Sequence, residues 1–242
     1  MTTAELLALL RIKFSDTVEP YLASDADCVD ALSRAQNTFA AETLCIFDAT
    51  QTASATADDS YISLPEGTVW VKAALFGSTL LNIVTQHELD YGYFSLNKTE
   101  ANSRFSDWRN KTGTPKFLVT DLGSLTCRLV PFPDTNGTVN LERYRLPVEL
   151  HLTTQDPEIP IQFHRDLLSG ALAYLYETTD ADVYAPQEAI TLFAKWQLVL
   201  DMAKVQLQTD LRRQERRLNL PAEVKFMQEK SNIIGSNQND NT

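Results

Sequence analysis

At 242 residues the chain can build one large domain or two small ones, and a hydrophobic share of 43% supplies a real core. A formal net charge of −11 excludes a nucleic-acid-binding surface as the main feature. Three scattered cysteines, Cys28, Cys45 and Cys127, show no CxxC or Cys/His zinc spacing and read as structural thiols of a reducing compartment. The charge is uneven. Before Trp108 the acids Asp16, Glu19, Asp25, Asp27, Asp30, Asp48, Asp58, Asp59, Glu88 and Asp90 meet few bases, whereas after it the two signs nearly balance. The N-terminus has no apolar stretch behind a basic start, and no apolar run approaches a membrane span, so a protein made in the cytosol is expected.

In chain order, Thr2 and Glu5 form a capping box ahead of a short helix with Leu6, Leu7, Leu10 and Phe14. Pro20 breaks it. Ser24 is a good N-cap for a second helix, with Asp25 and Asp27 in the electropositive first turn. Its apolar face is Cys28, Ala31, Leu32, Ala35 and Phe39, and it ends near Thr43 or Leu44. The polar stretch 50–60 reads as a loop. A meander of short strands follows. Tyr61–Leu64 alternates, Pro65-Glu66-Gly67 turns, and Val69, Val71 and Ala73 alternate against Trp70 and Lys72. Gly77-Ser78 then turns into Leu80–Thr85.

From Glu88 to Thr112 the pattern is irregular, and Tyr91, Tyr93, Phe94, Phe105 and Trp108 mark an aromatic-rich excursion. Strands resume over Lys116–Asp121 and Leu125–Pro131. The Asn136-Gly137 turn leads to a strand over Val139–Leu146. Asp156-Pro157-Glu158-Ile159-Pro160 is a stiff extended link, because each proline biases the preceding residue away from helix.

A third major helix carries Leu168, Ala171, Leu172, Leu175 and Tyr176. Gly170 within it costs about 1 kcal/mol against Ala unless a close helix crossing offsets it. The expected partner is the helix that starts at Pro186, a residue suited to a first helical position. Ala189, Leu192, Phe193, Trp196, Leu200, Ala203, Leu207 and Leu211 form one apolar stripe there; Lys195, Gln197, Asp201, Lys204 and Gln208 fall off it. Running to Leu218, the helix would be roughly 50 Å long, more than a domain of this size needs. Arg212, Arg213, Arg216 and Arg217 crowd its end, either as favourable charges at a helix C-terminus or as a docking surface for another chain. Pro221 stops it, and the polar residues after Gly235 predict a flexible tail.

The expected fold is therefore α+β: a small helical bundle of two N-terminal and two C-terminal helices, with an inserted antiparallel β-sheet unit, a long C-terminal helix and a tail. The expected divisions are 1–48 and 151–218 for the bundle, 49–150 for the β unit and 219–242 for the tail. An active site is not visible. His87, His151 and His164 match no metal-ligand spacing, phosphate-binding glycine loops and a GxSxG elbow are absent, and Asp58-Asp59 lies in a polar loop. His164 is expected to make a structural hydrogen bond.

Several motifs, in their order, resemble the head-to-tail connector, or adaptor, proteins of tailed double-stranded DNA bacteriophages. Ser24-Asp25-Ala26-Asp27 with Ala31–Gln36 resembles that family's second helix, and Tyr61-Ile62-Ser63-Leu64-Pro65 its first sheet strand. His87-Glu88-Leu89-Asp90, Trp108, Gly113-Thr114-Pro115-Lys116-Phe117, Leu129–Pro133, Arg143–Pro147 and Pro157–Pro160 follow in the same order, then His164, Leu167 and Gly170-Ala171-Leu172. The resemblance implies a structural virion protein, not an enzyme and without a cofactor. Such proteins form a ring, commonly of twelve subunits, under the portal, join the filled head to the tail, and conduct DNA at ejection. The implied partners are further copies of the chain, the portal, a downstream tail or nozzle protein, and passing DNA, with no membrane. The implied portal interface is Leu211, Arg212, Arg213, Arg216, Arg217, Leu218, Phe226, Ile233 and Ile234. An acidic lumen would let DNA slide without sticking. Rival readings are a tail-terminator or tail-tube protein, a wall-degrading virion hydrolase, and a carbohydrate-binding β module suggested by Trp70, Trp108 and the tyrosines.

Overall fold

The computed structural model describes residues 1–90, 107–123, 125–151, 156–177 and 185–218, and side chains except those of Asp107 and 208–218. Met1–Trp196 forms one compact unit and a second begins at Gln197. The fold is α+β. Helices α1 (Thr3–Phe14) and α2 (Asp25–Thr43) open the chain. Seven strands follow: β1 (Phe47–Ala55), β2 (Tyr61–Ser63), β3 (Thr68–Phe76), β4 (Thr79–Val84), β5 (Phe117–Val119), β6 (Thr126–Val130) and β7 (Gly137–Arg145). A short helix α3 (Gln86–Asp90) lies after β4, and α4 (Leu167–Glu177) and α5 (Pro186–Leu218) close the order.

Both N-terminal helices start as their sequences dictate. The Thr2 hydroxyl accepts from the Glu5 amide at 3.1 Å and the Glu5 carboxylate accepts from the Thr2 amide at 3.0 Å. Ser24 and Asp27 repeat this reciprocal box on α2. The buried faces meet in one core of Leu6, Leu10, Leu32, Ala35, Phe39, Leu167, Leu168, Ala171 and Leu175. Phe39 lies between Phe163, with ring centroids 5.0 Å apart, and Trp196, at 6.1 Å. Burying that one ring contributes about 1.5–3 kcal/mol.

The close partner of α4 differs from the expected one: it is α2. A Cβ on Gly170 would stand 3.1 Å from the Ala35 Cβ on α2 and 2.8 Å from the Trp196 ring on α5. Gly170 thus leaves room for both the Ala35 methyl of α2 and the Trp196 indole of α5. The short link to α5 suggested a simple helical hairpin, but small residues on α2 let that helix approach more closely.

The sheet runs β1-β7-β3-β4-β5-β6-β2. All its pairings are antiparallel except β4–β5, which is parallel. Of the meander expected over Tyr61–Thr85, the β3–β4 hairpin is formed, whereas β2 pairs with β6, far along the chain. The sheet curls until its edge strands touch, and all seven strands contribute to one interior, among them Ala53, Ile62, Val71, Leu81, Leu118, Leu129 and Leu141. The stretch expected as a loop is largely strand β1. Its Ala53 and Ala55 point inward between outward Thr52 and Ser54, a period of two hidden by polar composition. Along β3, register shifts between Thr68 and Trp70 and between Val71 and Ala73 break the expected alternation. Val69 is exposed as a result, while Val71 and Ala74 are buried.

The β unit is sewn to the bundle by polar groups of α2. Gln36, with no exposed surface, donates to the Val148 carbonyl at 3.1 Å and accepts from the Glu158 amide at 3.0 Å. The Ser33 hydroxyl accepts from the Leu150 amide at 2.9 Å. Arg145 at the end of β7 donates to Glu158 at 2.7 and 3.2 Å. Replacing Gln36 by Leu keeps the volume and removes both bonds. It is expected to destabilise by about 2 kcal/mol, from two lost bonds of about 1 kcal/mol each, read as a lower urea midpoint with an unchanged m-value.

Outside the described residues lie Tyr91, Tyr93, Phe94 and Phe105 of the aromatic excursion, and the tail. Its flanks are tied. Trp108 donates its indole N–H to Asp90 at 3.0 Å, and Arg109 donates to the same carboxylate at 2.8 and 2.9 Å. That Arg109 bond, with Trp108 adding, holds the Asp90 carboxyl below its usual value, as Arg145 does for Glu158 and the Thr50 amide for Asp48. Depressed folded values mean stability that is present above the unfolded values of about 4 and lost as pH falls through the folded ones. The urea midpoint is therefore expected to drop between about pH 5 and pH 3, and to drop less in Asp90→Asn.

Candidate functional site

Helix α5 spans 33 residues. Proline at its first position fixes a helical φ, and Ala189 N–H bonds the Ala185 carbonyl to close the first turn. Ala189, Trp196, Leu200 and Ala203 are buried, as the stripe predicts; Leu192, Phe193 and Leu207 are half-buried. Lys195, Gln197 and Asp201 face water.

The helix carries a second apolar stripe, outside the one its sequence makes plain. Ile190, Leu198, Met202 and Val205 are 62–70% exposed. At about 100° per residue they fall in one arc roughly opposite the buried one. A surface helix needs one apolar face; a second, uncovered face marks a contact with another molecule. The signal was present in the recurrence of apolar residues at 190, 198, 202 and 205, masked by the stronger stripe.

A second exposed surface lies on the sheet. Tyr144 pairs across the ladder with Phe47 of β1 and with Trp70 of β3. Trp70 stacks on Tyr144 with centroids 5.7 Å apart and planes 17° apart, and Phe47 tilts against the other side at 5.5 Å. About half of Phe47 and Trp70 remains exposed. Such part-exposed rings are typical anchors of protein interfaces.

Of the expected interface residues, Leu211, Arg212, Arg213, Arg216, Arg217 and Leu218 lie on the last turns of α5, with side chains outside those described. Phe226, Ile233 and Ile234 lie outside the described residues. His164 is buried and donates from Nε2 to the Ile159 carbonyl at 2.9 Å, the structural role expected of it. Burial pushes the Cys28 and Cys127 thiols up to about 11, which leaves them unreactive near neutral pH. Among the described residues no group of three or more His, Cys, Asp or Glu could hold a metal ion, and no helix is long and apolar enough to cross a membrane.

A bundle with a sewn-in curled sheet and a helix apolar on two opposite faces has the surfaces of a structural assembly protein. The family model described as SU10 adaptor protein matches residues 1–223, and the chain belongs to that family. It is a bacteriophage structural adaptor of the head-to-tail type, a component of the virion. No curated protein matches the chain.

Proposed function

We propose that the chain forms a ring under the portal, joins the DNA-filled head to the tail, and conducts DNA at ejection. The observation that carries this reading is the second apolar stripe of α5. Inside a ring, neighbouring subunits would cover Ile190, Leu198, Met202 and Val205, which are otherwise left in water. The division into bundle (1–48 and 151–218), β unit (49–150) and tail (219–242) assigns the parts. The bundle packs subunit against subunit, the sheet with its aromatic ladder faces outward or toward a tail protein, and the end of α5 with the tail reaches the portal. There Leu211, Arg212, Arg213, Arg216, Arg217, Leu218, Phe226, Ile233 and Ile234 make the contact. A net charge of −11 favours a lumen that DNA passes without binding. A micrograph of the protein mixed with its portal tests this: a co-axial ring, commonly of twelve subunits, is expected. Protein that stays apart from the portal at micromolar concentration would rule the reading out.

A further inference from the structure

The loop between α1 and α2 is fixed from within. Arg11, 7% exposed, donates to the Asp16 carboxylate at 2.9 Å and to the Ala23 carbonyl at 3.2 Å, and also pairs with Asp25. The Tyr21 ring lies 3.7 Å from the Arg11 guanidinium carbon. Asp16 accepts in turn from the Leu22 and Ala23 amides at 2.9 and 3.2 Å. A buried ion pair whose carboxylate also accepts two backbone amides holds geometry more than it adds stability. The loop held this way presents Val18, 75% exposed, and Leu22, 52% exposed, to solvent, with Glu19 exposed between them. A rigid loop with apolar tips loses little entropy when it docks.

The same unit carries an open groove of about 470 Å³ between α1, α4 and α5, lined among others by Lys13, Leu172, Tyr176, Glu188, Leu192 and Lys195. The floor is mostly apolar. Two lysines stand on its rim, and its acid, Glu188, lies against the Tyr176 hydroxyl. The groove is lined on its α5 side by Thr191 and Lys195, beside the exposed Ile190.

We propose that the loop Asp16–Ala23 of one copy docks in the groove of a second copy, with Val18 and Leu22 on the apolar floor and Glu19 between Lys13 and Lys195. The occupant is a second copy because shape and charge match: two aliphatic tips for an apolar cleft of that volume, one carboxylate for a rim with an excess of ammonium groups. Loop and groove are different surfaces, so the contact is heterologous and can propagate around a closed ring. This rests on the ring reading above.

Sedimentation velocity and negative-stain imaging of full-length protein test it. Val18→Asp is expected to weaken ring assembly at least tenfold, with an unchanged circular-dichroism spectrum and melting point, since Val18 supports no core. Glu19→Lys is expected to weaken it too, and Glu19→Lys with Lys13→Glu and Lys195→Glu to restore it. Rings that form in both single variants as in the wild type would overturn the loop-in-groove contact and leave the ring reading intact, as would failure of the charge swap to restore assembly. A wild-type protein that forms no ring alone or on the portal would overturn both.

Discussion

A chain ending at Leu218 is expected to fold as the full-length protein does and to lose attachment to the portal. All buried core residues in the described structure lie at or before Ala203, so removing 219–242 deletes none of them. Changes away from buried features usually shift stability by less than about 0.5 kcal/mol, and the thermal midpoint should stay within error. Attachment should fall below detection in a portal pull-down, because Phe226, Ile233 and Ile234 go with the tail. Phage carrying the deletion should accumulate filled heads without tails. Normal tailed particles would show that the tail does not carry the attachment. A companion series separates the two meanings of the arginine cluster. If Arg212, Arg213, Arg216 and Arg217 only complement the helix dipole, each Ala substitution costs about 0.3–1 kcal/mol of helix stability at most and leaves portal binding unchanged. If they are interface anchors, at least one should cost about 2 kcal/mol of binding, roughly 30-fold, with the fold unaltered.

How legible the molecule was in its sequence depended on how local the determinant was. The capping box at Thr2 and the N-cap at Ser24 need only residues a turn apart, and both are present as read; at Ser24 the Asp27 carboxylate completes a reciprocal box as well. The helical faces of α2 and α4 follow a period of 3.6 and are buried as expected, except that Tyr176 at the end of α4 is half-buried. Strand β1 was missed because its inward side chains, Ala53 and Ala55, are small. They give almost no hydropathy contrast with Thr52 and Ser54, and only pairing with β7 reveals them. The pairing of β2 with β6 depends on loop closure across some sixty intervening residues, which no window contains. The bulges in β3 depend on the neighbouring strand as well. The second stripe of α5 failed to register for another reason. Exposure is not a property of a sequence, and a helix with two apolar faces looks from its sequence like a more buried helix.

The contact of Gly170 with Trp196 offers the largest stability effect, and it is specific enough to be tested in both directions. Trp196, 2% exposed, is wedged against Phe39 and the glycine. Trp196→Ala is expected to cost about 3–5 kcal/mol, enough to lower the melting point by roughly 6–20 degrees if the domain unfolds in one step. Gly170→Ala tests the same contact from the other side. Alanine should gain about 1 kcal/mol from helix propensity. Its Cβ, however, would stand 2.8 Å from a ring-fusion atom that cannot swing aside, and 3.1 Å from Ala35. Overpacking of that kind costs about 1–3 kcal/mol, so the net effect should be destabilising. Trp196→Phe removes ring atoms facing Gly170 and also a buried indole N–H with no hydrogen-bond partner. Losing that orphan donor offsets part of the lost packing. In the double variant alanine at 170 should be tolerated better than in the wild type, a coupling of about 1 kcal/mol or more in a double-mutant cycle. Additive effects would mean that Gly170 is set by the α2 crossing at Ala35 alone. The helix that carries the outward stripe would then owe its seat to Phe39, not to the glycine.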